Sequence, residues 1–284
     1  MTTQKDLSRR TFLKEGAKAL GLLGAVAAAG TYPFVTERFW YKVKEVRLTI
    51  PRLPSSFKGW KMVQFSDVHF GFHYGIEDFR HVINIINAQN PDIIILTGDL
   101  IETGFPYPEQ ALPLLKELKA RRGGKWAVMG NHDFFPVNSV PSLLRDSDFI
   151  FLQNGRGHIE VNQERVYIAG LDDALNGVPD LERAFAGLSE EDCVMLLVHE
   201  PDVADWVSKY PVVCAQFSGH SHGGQVRLPW FGPVISQDYA KLFVNGLYHV
   251  GNRRMPLYVN RGIGTTQMPV RLFCRPEITL FHLS

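Results

Sequence analysis

The sequence predicts an α/β domain made of two packed β-sheets with helices outside them. Three observations carry that reading. Five short apolar runs of strand length recur between residues 61 and 217, helical patterns lie between them, and beyond residue 220 the chain reads mostly as strand and loop. Strands that alternate with helices indicate a mainly parallel sheet, and a strand-rich second half supplies a second sheet to pack on the first.

The elements follow in order. Residues 61–66 (KMVQFS) alternate apolar and polar, and 92–97 (DIIILT) is a β-branched run. The set continues with 125–129 (KWAVM), 193–198 (CVMLLV) and 212–217 (VVCAQF). Such runs suit half-buried or fully buried strands. Helices are expected over 76–90, 108–120, 140–146, 181–186 and 201–209. Pro113 has no N–H to donate and is expected to shorten or kink the second of these. Strand patterns return over 246–250, 256–260 and 276–282. A chain of 284 residues with no repeat or low-complexity tract after residue 45 fits one large domain over 45–284, preceded by a linker at 31–44 and an address at 1–30.

Each of the five runs is followed by a short polar motif: Asp67-Val68-His69, Gly98-Asp99, Gly130-Asn131-His132-Asp133, His199, and Gly219-His220-Ser221-His222. Loops at the ends of buried strands are where ligands for a bound group are expected. The motifs offer carboxylate, amide and imidazole donors and no thiolate, a set that suits Mn, Fe, Zn or Mg, and two such ions can clamp a phosphate. A carboxylate can bridge two cations, which makes Asp99 the natural shared ligand. If Gly219–His222 is extended, alternate side chains point the same way, so His220 and His222 face the metals and Ser221 does not.

Read in order, the motifs match D-x-H, G-D-x-x-D/E, G-N-H-D/E, H and G-H-x-H, and in this the chain resembles the calcineurin-like metallophosphoesterase superfamily. The resemblance implies a four-layer α/β/β/α sandwich. It implies a first metal held by Asp67, His69, Asp99 and His222, and a second by Asp99, Asn131, His199 and His220. It further implies a two-metal-activated hydroxide attacking a phosphoester, with His132 protonating the leaving alkoxide or stabilising phosphoryl charge. Glu102 matches the second acidic position and is a candidate orienter of His132, with Asp133 the other. A tyrosinate-iron variant is excluded, because its tyrosine and D-x-G positions are Glu102 and His69 here.

Residues 1–30 read as an address. Ser8-Arg9-Arg10-Thr11-Phe12-Leu13-Lys14 followed by an Ala/Gly/Leu stretch over 17–30 has the form of a bacterial twin-arginine signal, which implies the twin-arginine translocase as a partner during export. Small residues at 25–29 fit a cleavage site, while Phe34, Phe39, Trp40 and Tyr41 with Arg38 and Lys42 have an interfacial composition that fits an uncleaved membrane anchor. Five cations against two anions give residues 1–29 a charge of +3, and a whole-chain charge of +1 leaves 30–284 at −2, without the basic field that nucleic acid requires. Cys193, Cys214 and Cys274 read as small buried hydrophobes.

The export signal, the G-H-S-H-G-G-Q segment and the R-G-I-G…R-P-E-I ending are similar to the YkuE/YaeI-type phosphodiesterases, exported or membrane-associated bacterial proteins, over most of 45–284. That implies a phosphodiester or pyrophosphate substrate at the cell envelope. Two alternatives stay open: hydrolysis of UDP-2,3-diacylglucosamine in lipid A synthesis, whose substrate lies on the cytoplasmic side, and a non-catalytic metal-binding protein on the same fold. Arg253, Arg254, Arg261, Arg271 and Arg275 read as a solvated face, and the aromatic stretch 228–243 as a substrate rim, a membrane-touching loop or a core cover.

Overall fold

The computed structural model describes residues 9–134 and 139–284. In chain order the strands are β1 (Lys42–Leu48), β2 (Lys61–Phe65), β3 (Ile93–Thr97), β4 (Lys125–Val128), β5 (Phe149–Phe151), β6 (Gly155–Val161), β7 (Glu164–Gly170), β8 (Val194–Leu197), β9 (Val213–Ser218), β10 (Arg227–Leu228), β11 (Gly232–Pro233), β12 (Gly246–Val250), β13 (Met255–Val259) and β14 (Glu277–Leu283). The α-helices are α1 (Arg9–Val35), α2 (Ile76–Ala88), α3 (Leu112–Lys116), α4 (Ser139–Asp146), α5 (Leu181–Phe185) and α6 (Ala204–Val207).

One sheet runs β1-β14-β2-β3-β4-β5, the other β12-β13-β9-β8-β7-β6. Within the first, β2, β3, β4 and β5 are parallel, and only the β14–β2 pair is antiparallel. Within the second, β7, β8, β9 and β13 are parallel, with antiparallel edges at β6 and β12.

The strand period of two sorts side chains into layers. On β3, Ile93 and Ile95 point between the sheets, where they join Met62, Trp126, Met195 and Phe217. Ile94 and Leu96 point outward onto Phe79, Val82 and Ile83 of α2 and Leu143 of α4. The outer face of the second sheet packs on Ala184 and Phe185 of α5 and Ala204 and Val207 of α6. The result is the expected four-layer α/β/β/α sandwich.

Several elements differ from expectation. The helix expected over 108–120 is a 3-10 turn at Pro108–Ala111 followed by α3, with Pro113 in its first turn, where its missing N–H costs nothing. Strands β5, β6 and β7 are absent from the sequence reading. The β6–β7 hairpin turns on Asn162 and Gln163, both at positive φ, so Asn162 carries the turn without the glycine that usually marks one.

The stretch 31–44, expected as a linker, is docked onto the domain. Glu37 is buried and accepts a hydrogen bond from Cys274 N at 2.7 Å, Arg275 donates from Nε to Trp40 O at 2.8 Å, and β1 begins at Lys42 and pairs with β14. Overlapping its first residues, Gly16–Phe39 is a 24-residue segment, mostly exposed, long and apolar enough to cross a membrane. Ser8 and the residues before it, part of the address, lie outside the described residues.

Candidate active site

β2, β3 and β4 lie side by side and parallel in one sheet, and β8 and β9 do so in the other. Each ends one or two residues before its motif, so the five motifs meet at one edge of the sandwich, outside the carboxyl ends of parallel strands. The first two loops are tied together: Asp67 N donates to Gly98 O at 3.0 Å and Val68 N to Asp99 O at 2.7 Å. Asp67, His69, Asp99, His220 and His222 all hold positive φ between 48° and 68°. Left-handed backbone costs a non-glycine residue of order 1 kcal/mol or more, and concentrations of it mark functional sites.

Gly130 allows a close approach between two of these loops. A Cβ there would stand 2.4 Å from Asp99 Oδ1 and 2.7 Å from His199 Cε1, so only a hydrogen lets the Asn131 loop close onto both.

The geometry gathers the expected ligands into two buried clusters that share one residue. Asp67, His69, Asp99 and His222 form the first, and Asp99, His199 and His220 the second. Asp99 sits between them, its Oδ2 3.5 Å from His69 Nε2 and 3.1 Å from His199 Nε2, while Oδ1 accepts from His132 N at 2.8 Å. Asp67 accepts from His220 N at 2.9 Å and faces His222 Nε2 at 3.4 Å.

The outer hydrogen bonds fix which imidazole nitrogen faces inward. His199 Nδ1 donates to Thr97 O at 2.7 Å and His220 Nε2 to Asp238 O at 2.8 Å. That turns His199 Nε2 and His220 Nδ1 toward each other at 3.2 Å. In the first cluster His69 Nδ1 meets Glu102 Oε2 at 2.6 Å, so its Nε2 faces His222 Nε2 at 3.0 Å. Nitrogens placed so closely, beside carboxylates, need a cation between them. Burial lowers the His199 pKa, but Asp99 more than reverses this and raises it well above the ordinary value. His220 is pushed down to about 4 and His222 well below normal, by burial first and by the neighbouring histidine next. Burial works against ionised Asp99, yet the charges of His199 and His69 hold its pKa well below the usual carboxylate range. Asn131 Oδ1 is buried with no hydrogen-bond partner, as a metal-ligand oxygen would be. The donor set and this orphaned oxygen fit bound metal cations.

Beside the clusters, Glu102 lies between His69 and His132, with Oε1 3.4 Å from His132 Nδ1. Burial lowers the His132 pKa, but Glu102 and Asp99 lift it to about 9, and Glu102 itself falls to about 2. Asp133 is no orienter of His132. Its carboxylate accepts from Ile101 N and Gly130 N, each at 3.0 Å, and so pins the loop.

Two further expectations are corrected. The Gly219–His222 segment is not extended: Ser221 is helical between two left-handed histidines, so a turn sends His220 and His222 to separate clusters, and Ser221 Oγ donates to Val244 O. Arg271 is fully buried, its guanidinium bonded to the carbonyls of Arg261, Gly264 and Cys274 behind His222. Thr97, Thr103 and Asp238 were not singled out from sequence. Thr97 and Asp238 act through backbone carbonyls, which no side-chain pattern reveals, and Thr103 Oγ1 lies 3.1 Å from His132 Nδ1.

Residues 61–224 match the family model described as calcineurin-like phosphoesterase. The chain is 39% identical to the uncharacterized metallophosphoesterase YkuE of Bacillus subtilis, covering 98% of each chain. It is 30% identical to a transmembrane protein with metallophosphoesterase domain from Danio rerio, over 84% of this chain and 56% of that protein. It is 26% identical to UDP-2,3-diacylglucosamine pyrophosphatase LpxG of Chlamydia trachomatis, over 85% and 88% respectively. With more than half its length under that model, and the near full-length relative carrying the same domain, the chain belongs to the calcineurin-like metallophosphoesterases, hydrolases of phosphoric esters.

Proposed function

We propose that this protein cleaves phosphodiester or pyrophosphate bonds at the cell envelope. The observation that carries the reading is the pair of buried clusters sharing Asp99, together with the buried, partnerless Asn131 Oδ1, which follows the Gly130 that packs on Asp99 and His199. In this assignment Asp67, His69, Asp99 and His222 hold one divalent cation, and Asp99, Asn131, His199 and His220 the other. Bound there, the cations would neutralise phosphoryl charge and bring the pKa of a water toward neutrality. The protein's own groups do the rest. Thr97 O, Glu102 and Asp238 O fix the histidine tautomers. His132 Nδ1 faces Glu102 and Thr103, so Nε2 is the atom that carries a proton to the departing oxygen.

The envelope location draws support from the exposed apolar segment Gly16–Phe39 and from the printed description of the Danio rerio relative as a transmembrane protein. The twin-arginine route rests on the sequence of residues 8–14. A pyrophosphate carried on a lipid is the second reading, favoured by the likeness to LpxG along most of both chains.

The full chain in detergent, supplied with Mn or Zn, is expected to hydrolyse a chromogenic phosphodiester. Asp99→Ala removes the shared carboxylate and is expected to lose metal and activity together. His132→Ala is expected to keep both metals and lose about 10²–10⁴-fold in rate, less for good leaving groups. A folded, metal-loaded protein that turns over no phosphoester supports the non-catalytic alternative. Loss of metal in stoichiometric amount from His132→Ala would overturn the division into ligands and acid.

A further inference from the structure

The two most exposed large apolar side chains of the folded domain share one hairpin. The β10–β11 hairpin carries Trp230, 98% exposed, and Phe231, 85% exposed, at its turn, with Leu228, Val234 and Ile235 about half exposed along its arms. Single exposed apolar residues are ordinary, but a contiguous set at the tip of a projecting ribbon marks a contact surface.

This tip is fastened to the base of α1. Val226 bridges Leu272, and Arg227 N donates to Leu272 O at 2.9 Å. The preceding residue, Arg271, donates its backbone N–H at 3.1 Å to Pro33 O, inside α1. Phe273, exposed, lines one cleft with Leu228 and Trp230 and another with Tyr32 and Arg275. The end of the apolar helix and the hairpin tip are thus neighbours joined through residues 271–273. Cationic groups stand around them: Lys42 and Arg275 share the second cleft, Arg275 stacks on the Trp40 ring at 3.9 Å, and Arg227 lies at the hairpin's base. Aromatic rings interleaved with Lys and Arg at the end of a spanning helix are the composition of the bilayer's interfacial layer, and the cations suit anionic headgroups.

We propose that the hairpin tip over 228–235, with Phe273, is a second membrane contact, seated in the interfacial layer of the leaflet that α1 enters. The proposal rests on the reading of α1 as a membrane anchor. A bilayer suits this surface better than a protein partner does. Two strands of two residues present far less than the roughly 800 Å² per side that a stable protein interface buries, whereas ring insertion needs only a narrow protruding tip. The placement has a consequence for substrate. A cleft lined by His222, Val226, Ile235, Met268 and Val270 shares the hairpin's inner wall and reaches the first metal cluster. The contact would hold the side of the domain that carries His222 toward the bilayer, so a lipid carrying a phosphoester would be presented there without leaving the membrane.

The test uses the full chain in nanodiscs of phosphatidylcholine and phosphatidylglycerol. The difference in emission between the wild type and Trp230→Phe isolates Trp230. It is expected to be blue-shifted, and quenched by lipids brominated near the top of the acyl chain. Water-like emission with no quenching overturns the contact. The double variant Trp230→Ser/Phe231→Ser is expected to lose about tenfold or more in turnover of a phosphodiester lipid in the disc, because two ring-sized apolar areas no longer dock. Its hydrolysis of soluble bis(p-nitrophenyl) phosphate is expected to be unchanged. Equal loss on both substrates, or loss on neither, overturns the proposal. A wild type inactive on both refutes the phosphoesterase reading, while quenching still decides the contact. A chain that does not enter the discs refutes the anchor and the contact together.

Discussion

Gly130→Ala tests the packing of the Asn131 loop against Asp99 and His199. The added methyl would lie 2.4 Å from Asp99 Oδ1, 2.7 Å from Asp99 N and 2.7 Å from His199 Cε1. Non-bonded carbon contacts are comfortable near 3.5 Å, so the Asn131 loop or Asp99 has to give way by about 1 Å. Neither side is soft. Asp99 Oδ1 is held by His132 N at 2.8 Å, and the loop is pinned by Asp133 to Gly130 N and Ile101 N. Overpacking of this kind costs about 1–3 kcal/mol, a fall in Tm of roughly 2–12 °C for a chain of this size. A displacement of about 1 Å in a catalytic array costs on the order of 10²-fold in rate. Gly155→Ala is the control: its methyl meets nothing nearer than Gln153 O at 3.7 Å, and it is expected to stay within about 0.5 kcal/mol of the wild type. The assays are thermal unfolding, metal content and turnover of a chromogenic phosphodiester, run on both variants. A Gly130→Ala protein with the wild type's Tm, metal content and rate would falsify the account of Asp99 as the packed centre of the site.

Glu102→Gln removes the charge between His69 and His132. It is expected to weaken metal binding by about 10–100-fold, as loss of a ligand's outer partner does, and to slow turnover even at saturating metal; unchanged titration curves for metal would count against it. Asp92 is buried and accepts from Lys61 N, Arg121 Nη2 and Arg122 Nε at 2.7–2.8 Å. Burial raises its pKa, but these partners outweigh it and hold the folded value below normal. Its stabilisation is therefore fully present above the unfolded value of about 3.9 and lost as pH falls through the folded one. Asp92→Asn is expected to flatten the acid limb of a Tm–pH curve below about pH 4, and an unchanged limb refutes the assignment. Arg9→Lys with Arg10→Lys keeps the charge and is expected to retain the protein inside the cell, because a receptor distinguishes the guanidinium from the ammonium group; export of the double variant refutes the twin-arginine reading.

The sequence determined the class of fold and the cast of the site. Apolar runs such as 92–97 are long enough and β-branched enough to be buried strands whatever surrounds them, and each of the five places its motif just beyond its end. Donor chemistry is local to a side chain, and the order of the motifs carries the family resemblance by which Asp67, His69, Asp99, Asn131, His199, His220 and His222 were expected as ligands before any geometry existed. What the tertiary structure decided is everything that depends on two distant segments meeting. Glu102 reaches both His69 and His132, and Asp133 turns away to pin a loop, a choice that residue type and spacing leave open. Thr97 and Asp238 set histidine tautomers through backbone carbonyls, which every residue possesses and no pattern displays. Arg271 reads as a surface cation until carbonyls from Arg261, Gly264 and Cys274 close around it. The stretch 31–44 reads as a linker because Glu37 and Trp40 find their partners more than 230 residues away, at Cys274 and Arg275. Periodicity and donor type are properties of a short stretch of chain. Partner, burial and tautomer belong to pairs that only the folded backbone brings together.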